Sequence, residues 1–112
     1  MRLNFKKIAN DLTSHANDKG QLNFIFKTKI HAIIVFYVFG FEKITFEDLC
    51  KLTLNVASRT TIQSILNEGV KSNYFDKAAA KNDKRKKYYT CNSMKPSLEK
   101  WYKKNQEMFK VC

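Results

Sequence analysis

Residues 58–91 read SRTTIQSILNEGVKSNYFDKAAAKNDKRKKYYTC, and the fold turns on this stretch. Ser58 is a helix-capping residue type, with a hydroxyl able to accept a first-turn amide. Behind it Ile62, Ile65, Leu66 and Val70 recur at the spacing of one helical face, which predicts a helix running toward Asn73. Asn73 stands where a helix end favours a residue tolerant of left-handed backbone. Tyr74 to Ala80 and Lys87 to Cys91 are short β-compatible runs around Lys81-Asn82-Asp83-Lys84-Arg85-Lys86. Together they predict a hairpin with a charged tip.

The flanks extend the pattern. Thr45-Phe-Glu-Asp48 resembles a capping box, and Phe46, Leu49 and Leu52 give the helix after it an inner face. A turn at Leu54-Asn55-Val56 leads to Ser58. Upstream, Phe26, Ile30, Ile33, Ile34 and Tyr37 fit a helical stripe, although Ile33 to Phe39 is also rich in β-formers. A single strand over 24–39 would be abnormally long, so one helix stopped by Gly40 is expected. A first helix carries Phe5, Ile8, Leu12 and Ala16, and Asn17 to Gln21 reads as the loop behind it. At the other end Asn92 and Ser93 offer a cap and Pro96 suits a first turn. Leu98, Trp101, Tyr102, Met108 and Phe109 then line one face.

Length and charge narrow the function. The 112 residues make one domain, and 44% hydrophobic content is enough for a core. Three Gly and one Pro are too few breakers for an all-β fold. Lys and Arg total 21 against 10 acids, a net charge of +11, with a pI near 9.7. Residues 77–104 hold Lys77, Lys81, Lys84, Arg85, Lys86, Lys87, Lys95, Lys100, Lys103 and Lys104 against only Asp83 and Glu99. Such a local excess repels itself in the folded state, so it is expected to serve a polyanion. The longest apolar run, Ala32 to Phe41, is about half of the ~20 residues a membrane span requires. No signal peptide is legible at MRLNFKKIAND.

The order helix, short helix, turn, helix, hairpin, helix is that of a winged helix-turn-helix. Ser58-Arg-Thr-Thr-Ile62, the stripe through Leu66, and Tyr74-Phe75 resemble the recognition helix and following strand of the MarR superfamily. Asp83-Lys84-Arg85 resembles its Asp-x-Arg wing motif. The segment Tyr74-Phe-Asp-Lys77 together with Asp83 is similar to the SarA-like branch. Asn73 departs from the common Gly, and Gly69 interrupts the helix. The resemblance implies a mainly α fold with a small β wing. Residues 1–112 would form a single winged-helix domain, with 43–92 as helix-turn-helix and wing. The terminal helices, 1–16 and 93–110, would interlock two subunits. It further implies a homodimer joined through Phe5, Ile8, Leu12, Leu98, Trp101, Tyr102, Met108 and Phe109, in the cytoplasm of a prokaryote or encoded by a phage or plasmid.

The side chains agree with that implication on their own chemistry. Opposite the apolar stripe, the helix from Ser58 presents Arg59, Thr60, Gln63, Ser64, Asn67 and Lys71, with Glu68 as its one acid. Gln and Asn pair with adenine, Arg with guanine, and Thr with the thymine methyl. In the hairpin Lys81, Lys84, Lys86 and Lys87 suit phosphates; by resemblance Arg85 would enter the minor groove and Asp83 would brace the turn. The expectation is a sequence-specific regulator of transcription on duplex DNA. The alternative is an architectural or interaction module that binds nucleic acid non-specifically or binds a protein partner. No catalytic constellation is legible and no cofactor is implied: His15 and His31 are isolated, and Cys50, Cys91 and Cys112 lack ligand spacing. Cys50, Cys91 and His31 are expected to be core residues.

Overall fold

In the computed structural model residues 1–14 and 20–109 are described, the side chains of 107–109 excepted. Their elements run α1 (Arg2–Ser14), α2 (Gln21–Ile25), α3 (Lys29–Gly40), β1 (Ile44–Thr45), α4 (Phe46–Leu52), α5 (Arg59–Lys71), β2 (Asp76–Ala79), β3 (Lys87–Thr90), a 3₁₀ turn (Asn92–Met94) and α6 (Lys95–Phe109). The chain is thus mainly helical with one small antiparallel sheet, in strand order β1-β3-β2. Of the expected features, His15, Ala16, residues 17–19 of the first loop, Cys112 and the side chains of Met108 and Phe109 lie outside the described residues.

The sequence of α3, KIHAIIVFYVFG, is apolar on nearly every side, and such a helix has to be covered by others. Ile34, Val35 and Val38 are fully buried, alongside Ile25, Leu49, Ile62, Leu66, Phe75 and Tyr89. The single helix expected over 24–39 is broken in two. Thr28 adopts extended backbone and its hydroxyl accepts the His31 amide at 3.1 Å, starting α3 afresh. A cap of this kind is worth about 1 kcal/mol, and the apolar periodicity carries no trace of it.

Thr45 caps α4 as its sequence implies, accepting the Asp48 amide at 3.1 Å. Glu47 and Asp48 occupy the first turn and Lys51 the last, each matching the sign of its helix end. Ser58 caps α5, accepting the Thr61 amide at 3.1 Å. At the far end Asn73 takes φ 64°, the left-handed region. The Tyr74 amide donates to Gly69 O at 2.7 Å and the Asn73 amide to Val70 O at 3.1 Å. That pair of bonds is a Schellman closure with Asn in the usual glycine place. Gly69, the apparent interruption, is buried beneath the Phe75 ring.

β2 and β3 form the expected hairpin, with Lys77 opposite Tyr89 and Ala79 opposite Lys87. β1 adds a strand that sequence reading omits, Ile44 pairing with Tyr89 and Thr45 with Tyr88. Two residues are too short to show alternation. Asn92 and Ser93 lie in the 3₁₀ turn instead of capping α6. The Ser93 hydroxyl donates to the carbonyls of Asn73 and Tyr74, at 3.1 Å each, and so ties the end of α5 to the start of α6.

The terminal helices require a correction. Leu98, expected at a subunit interface, is buried in the core of its own chain. Trp101 is half-buried, 5.1 Å from the Phe26 ring and stacked on Phe36 at 6.1 Å between centroids. The periodicity of α6 marks an apolar face without saying which chain covers it. α1 differs: Phe5 is 64% exposed, Leu3 62% and Leu12 38%, while Ile8 is half-buried. Asp11, buried in α1, pairs with Lys104 of α6. Among the described residues no helix is long and apolar enough to cross a membrane.

Candidate nucleic-acid interface

Because Ile62, Ile65 and Leu66 are buried, the opposite side of α5 is forced outward. Arg59, Thr60, Ser64, Asn67 and Lys71 are exposed, and Gln63 is half-buried. Gln63 donates to Asn67 Oδ1 at 2.9 Å and lies 3.4 Å from the Tyr89 hydroxyl, so it bridges α5 and β3. Ser58 is exposed, but its hydroxyl is committed to the cap and donates to Thr61 Oγ1 at 2.9 Å.

The sole acid of α5 turns aside. Glu68 accepts from Lys27 at 2.7 Å and meets His31 Nε2 at 2.9 Å, next to α3. The Lys27 ammonium, then His31, hold its carboxyl below the usual range. His31 is buried, its Nδ1 2.7 Å from the Thr28 hydroxyl, its ring edge-on to Phe24. It is a packed residue. Cys50 and Cys91 are likewise buried free thiols. Burial pushes the Cys91 thiol up to about 12 and raises Cys50 too.

In the hairpin Lys81, Lys84, Arg85, Lys86 and Lys87 are all exposed, the Arg85 side chain to 96%. Asp83 accepts the Arg85 amide at 2.9 Å on Oδ1, and its carbonyl accepts the Lys86 amide at 3.0 Å. Its carboxylate lies 3.6 Å from Arg85 Nε. These bonds fix the tip, so the cationic side chains project from a defined loop.

Sequence separation hides how these parts meet. Gln63 of α5, Lys51 of α4 and Lys77, Arg85, Lys86 and Lys87 of the hairpin line one cleft, floored by Tyr88 and Tyr89. An adjoining hollow runs along Phe46, Arg59, Thr60, Gln63, Ser64 and Asn67. Ser58, Lys71, Lys81 and Lys84 line neither. Lys77 sits 5.7 Å from the centre of the Tyr89 ring. Lys77, already counted in the basic segment, enters the site from β2, whereas Lys51 joins it only through the fold and nothing local in the sequence singles it out.

Arg59 is not free. Its two terminal nitrogens donate to Glu47 of α4, at 2.6 and 3.1 Å, and its guanidinium lies 4.9 Å from the centre of the Phe46 ring. The hydrogen bond from Arg59 lowers the Glu47 carboxyl and raises the guanidinium in return. Among the described residues no group of three or more His, Cys, Asp or Glu could hold a metal ion. Comparison with family models, with curated proteins and with solved structures finds no match to this chain.

Proposed function

We propose that the protein is a winged helix-turn-helix regulator of transcription, similar to the MarR superfamily, that binds duplex DNA sequence-specifically. In this reading α5 enters the major groove and the β2–β3 hairpin is the wing, with Arg85 reaching the flanking minor groove. One observation carries it: the polar outer face of α5 and the basic hairpin line two adjoining hollows that share Phe46 and Gln63. Their donors suit base edges on one side and phosphates on the other.

Selection of bound sequences from random duplex is the test. A regulator prefers its site to random DNA by about 4–10 kcal/mol, whereas equal binding to all sequences would replace this reading with the architectural one. On the selected site Asn67→Ala should lose about 1–3 kcal/mol, and on random duplex almost nothing. Arg85→Ala should weaken both, more where the flank is A/T-rich.

The regulator acts as a homodimer in this proposal. Phe5 and Leu12, one above the other on α1, leave an apolar strip uncovered, with Tyr102 of α6 60% exposed as well. Uncovered strips of this kind mark interfaces. Phe5→Asp should shift sedimentation from dimer to monomer at micromolar concentration and reduce DNA affinity without touching the cleft. A wild type that sediments as a monomer removes the dimer.

A further inference from the structure

Two carboxylates from the first turn of α4, Glu47 and Asp48, line this otherwise cationic cleft, and of the two only Glu47 grips an arginine among the described residues. Glu47 stands beside Lys51, Lys77, Arg85, Lys86 and Lys87, where it weakens the attraction for any phosphate that approaches. Its contribution to the fold is small: it is an acid at the positive end of α4, a place Asp48 shares. The Glu47 and Arg59 side chains are 62% and 60% exposed, and ion pairs that open to water add little stability. The geometry, by contrast, is highly specified. Each carboxylate oxygen accepts one hydrogen bond from a different terminal nitrogen, and Phe46 backs the guanidinium.

A guanidinium carries five N–H donors, and Glu47 occupies two of them. The remaining three are still available, from a side chain whose direction is now set. What can take them is limited by Glu47 itself. A phosphate arriving at Arg59 brings negative charge against the carboxylate and is repelled. A base edge is neutral and meets no such repulsion, and guanine presents two acceptors, O6 and N7, to Arg.

Building on the duplex-binding reading, we propose that Glu47 is a specificity-determining residue: it holds Arg59 at the mouth of α5, withholds it from the phosphate backbone and reserves it for a neutral base edge. Arg59 then adds nothing to binding on arbitrary sequence and discriminates only where an acceptor pair lies under the start of α5.

The test is a salt series with a fluorescent mixed-sequence duplex and the wild type, Glu47→Gln, Asp48→Asn, Arg59→Ala and the Glu47→Gln/Arg59→Ala pair. Asp48 is the control because it bears the same charge on the same helix turn and makes no ion pair among the described residues. Glu47→Gln should bind the mixed duplex roughly tenfold more tightly, and its log K against log[salt] slope should steepen by about one per subunit, the mark of one new phosphate contact. Asp48→Asn should produce a much smaller gain with no added contact. In the Arg59→Ala background the Glu47→Gln gain should shrink to that of Asp48→Asn. Equal gains from Glu47→Gln and Asp48→Asn, no gain from Glu47→Gln, or a gain that survives loss of Arg59 would each overturn the proposal while leaving duplex binding intact. A wild type that binds no duplex at all overturns the functional reading, and this inference with it.

Discussion

Phe75→Ala is expected to lower the free energy of unfolding by about 3–5 kcal/mol, among the largest losses any single substitution here should produce. Phe75 is 2% exposed, edge-on to Phe24 at 5.8 Å, and lies against Gly69 of α5. A Cβ added at Gly69 would stand 2.2 Å from Phe75 Cδ2. Gly69→Ala should therefore destabilise the wild type by about 1–3 kcal/mol through overpacking. Intrinsic helix preference alone would favour alanine by about 1 kcal/mol. Once Phe75 is alanine the obstruction is gone, and Gly69→Ala should turn stabilising by up to about 1 kcal/mol. Urea denaturation of the four proteins measures the cycle. A neutral or stabilising Gly69→Ala in the wild type would mean that the ring does not close on the helix.

That cycle also shows which features a sequence can display. The limits of α5 are legible because they depend on local chemistry: Ser58 caps its own first turn and Asn73 tolerates the left-handed exit. The hairpin is legible for the same reason, two β-compatible runs around Asp83, which accepts the amide two residues on. Gly69 looks like a flaw until its partner is known, and Phe75 reaches it only because the chain reverses at Asn73. The break at Thr28 competes with an apolar stripe that runs straight through it, and a hydroxyl cap leaves no periodic signal. β1 exists only by pairing with β3, since two residues cannot alternate. The inward turn of Leu98 follows from the packing of α6 on the rest of the chain, which its own periodicity cannot specify. In the candidate site the exposed donors of α5 and the tip lysines are visible as residue types. The bond from Arg59 to Glu47 joins two helices across the turn at 53–56, and no spacing rule points to it.

The second large effect is electrostatic. If the protein binds duplex DNA as proposed, binding is expected to fall by a factor on the order of 10⁴–10⁵ between 50 and 200 mM salt. The hairpin supplies the charge: Lys81, Lys84, Arg85, Lys86 and Lys87 are exposed on a loop fixed by Asp83, and Lys51 and Lys77 line the cleft behind them. Not every cation will meet a phosphate. Arg59 is held by Glu47, and in the proposed reading Arg85 lies in the minor groove, so about four or five contacts per subunit would remain among the lysines of the hairpin, α4 and α5. Each contact releases close to one counterion, and a dimer would then show a log K against log[salt] slope on the order of −7 to −9. A slope half as steep with the same affinity would indicate that one subunit binds alone, against the dimer. A slope near −2 would mean that the basic hairpin faces away from the backbone, and the reading of the hairpin as a wing would fall. Lys86→Ala and Lys87→Ala separate these cases, since each should flatten the slope by about one per subunit if its ammonium sits on a phosphate and leave it unchanged otherwise.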